Sequence, residues 1–325
     1  MTLVRTVELL KCSPRGGNLE VAVVVPTRNS GRTLEACLRS LRSQVPPCLV
    51  VVVDNHSTDD TAAIACRYAD TVAVAGPERS AQRNAGAELT TSPILGFIDS
   101  DMVVGSGVVE QATSALQSGA GGVVVPERSF GEGFWANVRR FERSFYHGSD
   151  TVEAARFFRR DVFERVGGFD ESMEPGPEDW DLTIRVREVA AVTRISAGIA
   201  HDEGRPTFWN ACAKKGYYAA GLRSFARKHG RASLSVLDRP YLRRPWMIFA
   251  QGPQLGLGLV ALKAGEATAV VATTILHSGP LRRGRGESVD WPGTSGGSSA
   301  SIGGARLGGG KELDEPAPHE GPRDD

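Results

Sequence analysis

Two β-branched apolar runs, VAVVV at residues 21–25 and LVVVV at 49–53, each stop at polar, turn-forming residues and lead into an amphipathic stretch. A short apolar run bounded by Pro, Asn, Ser and Gly reads as a buried parallel strand that feeds a loop and then a helix. The first run ends at Pro26 before TRNSGRT. The second ends at Asp54, and Ser57 or Thr58 is expected to cap the helix that follows. TVAVAG at 71–76 predicts a third strand, and the apolar residues of SPILGFID predict a fourth over 94–99. Strands alternating with helices imply an α/β fold with right-handed crossovers and a mostly parallel central sheet flanked by helices. Open sheets of this kind bind ligands beyond the carboxyl ends of their strands. Thr27, Arg28, Asn29, Asp54, Asp99 and Asp101 all fall at such ends, so one cleft can collect them.

Asp99 and Asp101 stand two residues apart where the fourth apolar run stops. If the strand runs through residue 99, the pleat sets both carboxylates on one side, facing one cation or one phosphate. An acidic triplet alone also suits a solvated turn or a helix cap; the company of the other strand-end residues is what favours a site. A second acidic cluster, Glu178, Asp179 and Asp181 in PEDWDL, follows the Gly-rich turn GGFDESMEPGP. A helix beginning near Pro177 or Glu178 places these acids in its first turn, where the macrodipole favours negative charge. Trp180 between them suits either the core or the face of a sugar.

Taken in order, VVVPTRNS at 23–30, VVVDNHSTDDT at 51–61, RSAQRNAGAELTTSPILGFIDSDMV at 79–103 and VGGFDESMEPGPEDWDLTIRV at 166–186 resemble the family-2 glycosyltransferases, which have the nucleotide-sugar-binding GT-A fold. The resemblance covers roughly residues 20–205 and implies a catalytic domain over 20–240. It implies an inverting, divalent-metal-dependent transfer of a sugar from a nucleoside-diphosphate sugar, UDP by family weight, to a hydroxyl on a small molecule, a glycan or a lipid carrier. Pro26, Thr27, Arg28 and Asn29 then belong to the base and ribose pocket, Asp54 to the base edge, and Arg79, Arg83, Asp99 and Ser100 to the rest of the donor site. Asp101 is the implied direct ligand of Mg²⁺ or Mn²⁺, with Asp99 nearer the ribose or a metal-bound water and His201 completing the metal or diphosphate site. Asp179 matches the catalytic base, with Glu178 orienting the acceptor or the loop. The chemistry agrees: negative charge grows on the leaving diphosphate, hard oxygen ligands suit these cations, and a single base suffices for inversion.

Two other readings compete. A nucleotidyltransferase that makes the nucleotide sugar shares the strand order, but it wants a Gly-rich activating loop with a basic residue where this chain has PTRNSGRT. A non-catalytic nucleotide-sugar-binding module is disfavoured by the retention of both Asp101 and Asp179.

GGVVVPERSF near residue 121 predicts another strand, FWANVRRFERSFYHG a helix, and ARFFRRDVF from residue 155 a strand below the acceptor, as the family implies. Arg156 there suits an anion or simple packing of its stem. The 38 basic and 38 acidic residues balance, which argues against a general nucleic-acid binder. Five cysteines without paired or metal-type spacing suggest reduced thiols and a cytoplasmic setting, and residues 1–19 read as an extension without a signal-peptide core. Residues 207–231 predict one basic, aromatic helix in which Lys214, Lys215, Tyr217 and Tyr218 suit either an acceptor phosphate or a solvated face. Beyond it, 241–277 predict a pair of short apolar helices, interrupted by Lys263 and Glu266, that suit peripheral membrane contact, a homodimer or a cover for the acceptor cleft. Gly, Ser, Pro and charge dominate 278–325, which predicts a disordered tail.

Overall fold

The computed structural model describes residues 7–10, 19–149, 152–230, 239–249 and 252–278. Strand β2 (Val21–Thr27) is buried at every position and pairs in parallel with β3 (Leu49–Asp54) on one side and β5 (Ile94–Phe97) on the other. From there the sheet extends through β4 (Thr71–Val74) to β1 (Glu8–Leu9), and in the other direction through β9 (Ala155–Arg159) and β7 (Gly122–Val124) to β10 (Val192–Arg194). β9 runs antiparallel to both its neighbours and β1 antiparallel to β4, while β10 is parallel to β7. This is the mostly parallel sheet that the alternating pattern predicts. A smaller sheet, β6 (Met102–Val104), β11 (Ile199–Asp202) and β8 (Glu127–Phe130), stands beside it.

Alternation along β2 shows why its run is apolar throughout. Val21, Val23 and Val25 enter a core shared with α1 (Leu34–Arg42), α2 (Thr61–Tyr68) and α4 (Val108–Gln117), whereas Ala22 and Val24 enter a second core with α3 (Arg79–Glu88), α6 (Arg160–Arg165) and α7 (Glu178–Val189). A strand covered on both faces has no solvent side on which to carry polar residues. α3 lies close on the sheet because Gly86 has no side chain: a Cβ there would collide with Val24 and stand 3.1 Å from a Val53 methyl.

Several boundaries differ from the sequence expectations. β4 ends at Val74, two residues early. Asp60, not Ser57 or Thr58, stands at the N-cap position of α2, without a side-chain capping bond, because Ser57 is drawn back to Asp54 and the Thr58 N–H donates to Asn29 Oδ1. The 207–231 helix is two, α8 (Phe208–Tyr217) and α9 (Ala219–His229). The bend seats Gly221 beneath the loop before α7, where a Cβ would come 2.7 Å from the Glu174 carbonyl. After a short helix, α10 (Pro240–Arg243), and a 3-10 turn at Pro245–Phe249, the expected pair of apolar helices is one, α11 (Pro253–Ser278). Pro253 occupies the first helical position, where its missing N–H costs nothing. Gly258 meets Phe134 and Val138, and Gly265 meets Phe208 and Cys212, so these glycines are packing sites against α8 and α5 (Phe134–Ser144) and do not break the helix. By length and composition Pro253–Ile275 is able to cross a membrane, and Leu257, Val260, Val271 and Ile275 are exposed on it. Cys37, Cys48 and Cys212 are free, but Cys66 is disulfide-bonded. That corrects the expectation of five reduced thiols and removes the cysteine argument for a reducing compartment. The expected tail beyond Ser278 lies outside the described residues.

Candidate active site

The carboxyl ends of β2 and β3 form one wall of a cleft. Gln82 on α3 ties them together, its side-chain amide donating to the carbonyls of Thr27 (3.0 Å) and Val53 (2.7 Å). Asp54 is buried and accepts from the Ser57 backbone N–H at 3.0 Å and from the Ser57 hydroxyl. That hydroxyl in turn accepts from the Asn29 N–H at 2.8 Å. Asn29 and His56 adopt left-handed backbone, with φ of 48° and 51°, so the two loops curl toward each other. Pro26 is buried in β2 and Arg28 is exposed at the rim. Thr27 Oγ1 is buried without a hydrogen-bond partner, a polar atom available to a ligand.

The Ser30 and Ser100 hydroxyls, 2.9 Å apart, link this wall to the acidic triplet. β5 stops at Phe97, and the Met102 N–H donates to the Asp99 carbonyl at 3.0 Å. The triplet is therefore a turn, which corrects the expectation of a strand through residue 99. Its two carboxylates consequently diverge. Asp101 reaches His201, whose Nε2 lies 3.2 Å from Asp101 Oδ2, because β11 pairs His201 opposite Met102. Burial opposes charge on the His201 ring, but the Asp101 carboxylate outweighs it and pushes the imidazole up to about 9. Asp101 Oδ1 is buried with no hydrogen-bond partner. A buried carboxylate oxygen left unpaired beside an imidazole fits a divalent cation, since such ions take one or two protein ligands and fill the remainder with phosphate and water. Among the described residues no group of three or more His, Cys, Asp or Glu side chains is placed to hold a metal ion.

Asp99 turns the other way, into a buried ion cluster. Arg83 is wholly buried; its Nη2 donates to Asp99 Oδ1 at 2.6 Å and its Nη1 to Asp179 Oδ1 at 2.9 Å, with Glu178 Oε1 at 3.4 Å. Arg79 pairs with Glu178 at 2.9 Å and lies over the Tyr218 ring. Arg156 closes the circuit, with Nη1 3.4 Å from Asp99 and 3.3 Å from Asp179 and Nη2 2.6 Å from Glu127. Its anions are therefore protein carboxylates. Burial raises the Asp179 carboxyl above its ordinary range even against the pull of Arg83 and Arg156. For Glu178, burial also disfavours charge, but Arg79 and Arg83 prevail and hold it low. The loop that delivers these acids is moored to α3 by Asn84, which accepts from the Phe169 N–H and donates to its carbonyl, both at 2.9 Å. α7 begins at Glu178, as expected. Asp181 is a structural acid, fully buried between Arg185, Lys228 and His229. Trp180 donates to the Val152 carbonyl at 2.8 Å and packs on Phe225, the core alternative for that residue.

Glu127, Arg143 and Glu203 escaped the sequence reading. Glu127 joins Arg156 to Arg143 (3.0 Å), which reaches Glu203 at 3.1 Å. Glu127 follows the apolar run VVV and Pro126, the same signal of an acid beyond a strand end that singled out Asp54 and Asp99.

A family model, glycosyl transferase family 2, matches residues 22–169. The chain is 28% identical over 262 residues to the pre-mycofactocin glycosyltransferase of Mycobacterium tuberculosis, covering 73% of this chain and 54% of that protein. It is also 28% identical over 249 residues to glycosyltransferase AglE of Haloferax volcanii, covering 69% and 77%. The chain thus spans about half the length of the mycobacterial relative. The crystal structure of S. aureus TarS 1–349 superposes with a TM-score of 0.50 at 16% identity, over 78% of this chain and 81% of that one, a likeness of fold. The four motif segments and their order along the sheet agree with the glycosyl transferase family 2 model, which matches somewhat under half of the chain, and the fold is that of the GT-A glycosyltransferases.

Proposed function

We propose that this protein is an inverting glycosyltransferase that moves a sugar from a nucleoside-diphosphate sugar, UDP-linked by family weight, to a hydroxyl of an acceptor. The observation that carries the reading is the divergence of the acidic triplet. Asp101 turns to His201 with one oxygen unspent, while Asp99 is held through Arg83 to Asp179. A cation-side carboxylate and a base-side carboxylate are thereby fixed at adjacent places on one cleft.

Thr27, Asn29, Asp54 and Ser57 receive the base and ribose, with Pro26, Arg28 and Ser100 along the same wall. Asp101 and His201 are the residues that would hold Mg²⁺ or Mn²⁺. When bound, such a cation offsets the charge that develops on the departing diphosphate. Arg83 has no surface of its own and acts through Asp99 and Asp179; Arg79 does the same through Glu178. Asp179 takes the acceptor's hydroxyl proton as its oxygen bonds to the anomeric carbon, and the bond from that carbon to the diphosphate oxygen breaks with its electron pair on the nucleotide. Two of the carboxylate's lone-pair sites are used by Arg83 and Arg156, which leaves acceptor capacity for that proton. A carboxyl raised by burial is a stronger base than an exposed one.

The test is calorimetric binding of UDP, GDP and dTDP, each with Mn²⁺ and with chelator. One nucleotide should bind in a metal-dependent way, and Asp101→Ala should abolish that dependence. Asp179→Ala should keep donor affinity while losing transfer by roughly 10²–10⁴-fold, the usual share of a general base. No nucleotide binding under either condition would sink the reading.

A further inference from the structure

Where α8 faces the loop after β11, a cavity of about 350 Å³ opens with an unusually cationic wall: Arg32, Arg139, Arg143, Arg205, Lys214 and Lys215. Four of the six are already matched. Arg32 pairs with Asp202 at 2.7 Å, Arg139 with Glu266 at 2.6 Å, Arg143 with Glu127 and Glu203, and Arg205 lies 3.6 Å from Glu132. Lys214 and Lys215 have no ion pair or side-chain hydrogen bond among the described residues. Their place in the last turn of α8 suits a cation. That preference, however, is satisfied as well by a lysine pointing to water, and both of these line the cavity and are only partly exposed. Burial depresses the Lys215 ammonium below its ordinary value, even though the Glu266 carboxylate, itself paired with Arg139 and Lys263, acts the other way.

The position of the cavity bears on the reaction. The charge of Lys214 is felt by Asp101 and by Glu203, and Arg143 links the cavity wall through Glu127 and Arg156 to Asp179. An occupant would lie beside both the cation-side and the base-side carboxylates. Two unpaired ammoniums match a phosphate monoester, which carries about −1.5 to −2 charges at neutral pH and three strong acceptor oxygens.

We propose that this cavity binds the phosphate group of a phosphorylated acceptor through Lys214 and Lys215. The proposal rests on the cleft being a sugar-donor site. The phosphate is borne either by a soluble ester or by a lipid, and the exposed apolar residues of α11, which packs on α8, are where a lipid would lie.

The experiment uses the full chain, the double variant Lys214→Ala/Lys215→Ala and the charge-conserving Lys214→Arg/Lys215→Arg, each saturated with UDP and Mn²⁺. Glycerol 3-phosphate is titrated by calorimetry, and phosphatidylcholine vesicles with and without phosphatidate are tested by co-sedimentation. The alanine pair should weaken phosphate binding by about tenfold or more, the arginine pair should retain it, and UDP affinity should stay within about twofold in both. Capture of glycerol 3-phosphate points to a phosphate borne by a soluble ester, and capture only of phosphatidate vesicles to one borne by a lipid; either supports the proposal. Equal phosphate binding by the alanine pair and the parent, or none by either, overturns it. So does a loss of UDP affinity in the alanine pair, because the lysines would then serve the donor. If the parent protein holds phosphate through these lysines but binds no nucleoside diphosphate, the donor reading fails, and the acceptor role falls with it while the phosphate site stands.

Discussion

Arg83→Met isolates what the buried ion cluster contributes. Methionine fills much of the space of the arginine stem and can keep the contact with the Phe169 ring, over which the guanidinium lies at 5.0 Å. It leaves Asp99 and Asp179 with Arg156 alone, at 3.4 and 3.3 Å, and Glu178 with Arg79. Removing one partner of a buried ion pair costs about 3–5 kcal/mol, and the remaining arginines place this site toward the lower end. At about 3 kcal/mol a chain of this size loses roughly 4–6 °C of melting temperature. The sign of the pH dependence follows from Asp179. Burial already raises that carboxyl despite Arg83, so removing Arg83 raises it further. An acid whose folded pKa lies above its unfolded value is penalised above the folded pKa and relieved as pH falls through it. The deficit of Arg83→Met should therefore be largest near neutral pH and shrink as pH falls through the raised Asp179 value into acid, and Asp179→Asn in the same chain should restore part of the loss. Thermal melts followed by circular dichroism across that range decide the matter. A melting temperature within about a degree of the parent, or a deficit that ignores pH, would refute the view that the guanidinium compensates these carboxylates.

Two further substitutions probe the scaffold. Gly86→Ala gains up to about 1 kcal/mol of helix propensity but forces a Cβ into Val24, an overpacking cost of about 1–3 kcal/mol; denaturant unfolding should show net destabilisation, and a net gain would mean that α3 does not sit as close on β2 and β3 as described. Glu142→Gln tests the seat of α11: burial disfavours the Glu142 charge, but Lys263, Arg139 and the Tyr146 hydroxyl overcome it and hold the carboxyl at about 2 against an ordinary 4.5, which is worth about 3 kcal/mol near neutral pH. Because this pKa is depressed, its contribution is full above the unfolded value and fades as pH falls toward about 2; stability curves for parent and variant should draw together from about pH 4.5 and meet only near about pH 2, and parallel curves would count against the ion cluster.

What the sequence revealed and what it concealed divide along a physical line. Runs such as VAVVV announce themselves because burial on both faces leaves only one kind of residue acceptable, and residues just past those runs are legible as a ligand edge because the fold class puts them there. The same logic reached Asp54, Asp99 and Asp101, and applied to VVVPE it would have reached Glu127. The direction in which a carboxylate points is another matter. The pleat argument required a strand through Asp99, but the chain turns after Phe97, and the partners that then separate Asp99 from Asp101 arrive from β9 and β11, more than fifty residues downstream for Arg156 and a hundred for His201. Pairing of that range leaves no local trace. The single helix at Pro253–Ser278 was missed for a related reason: its glycines read as breakers in isolation, and only the side chains of Phe134, Val138 and Phe208 turn them into close-packing positions.

The cluster's composition is what links these distant segments into one functional unit. Arginine can donate to two carboxylates at once in a fixed plane, and Arg83 and Arg156 each do so, so that Asp99 and Asp179 share both cations. A lysine at either position would bring a compact point charge on a flexible stem, without the rigid planar fork that fixes the two carboxylates relative to each other. Such shared pairing is expensive to bury and gains little net stability over an apolar core. What it does fix is the relative position of two acids that come from different halves of the chain, Asp99 beside the acidic turn and Asp179 at the start of α7. Glu127 extends the same linkage through Arg143 to the wall of the cationic cavity. A change in charge at that cavity therefore bears, through two arginines, on Asp179, the carboxylate proposed above as the base.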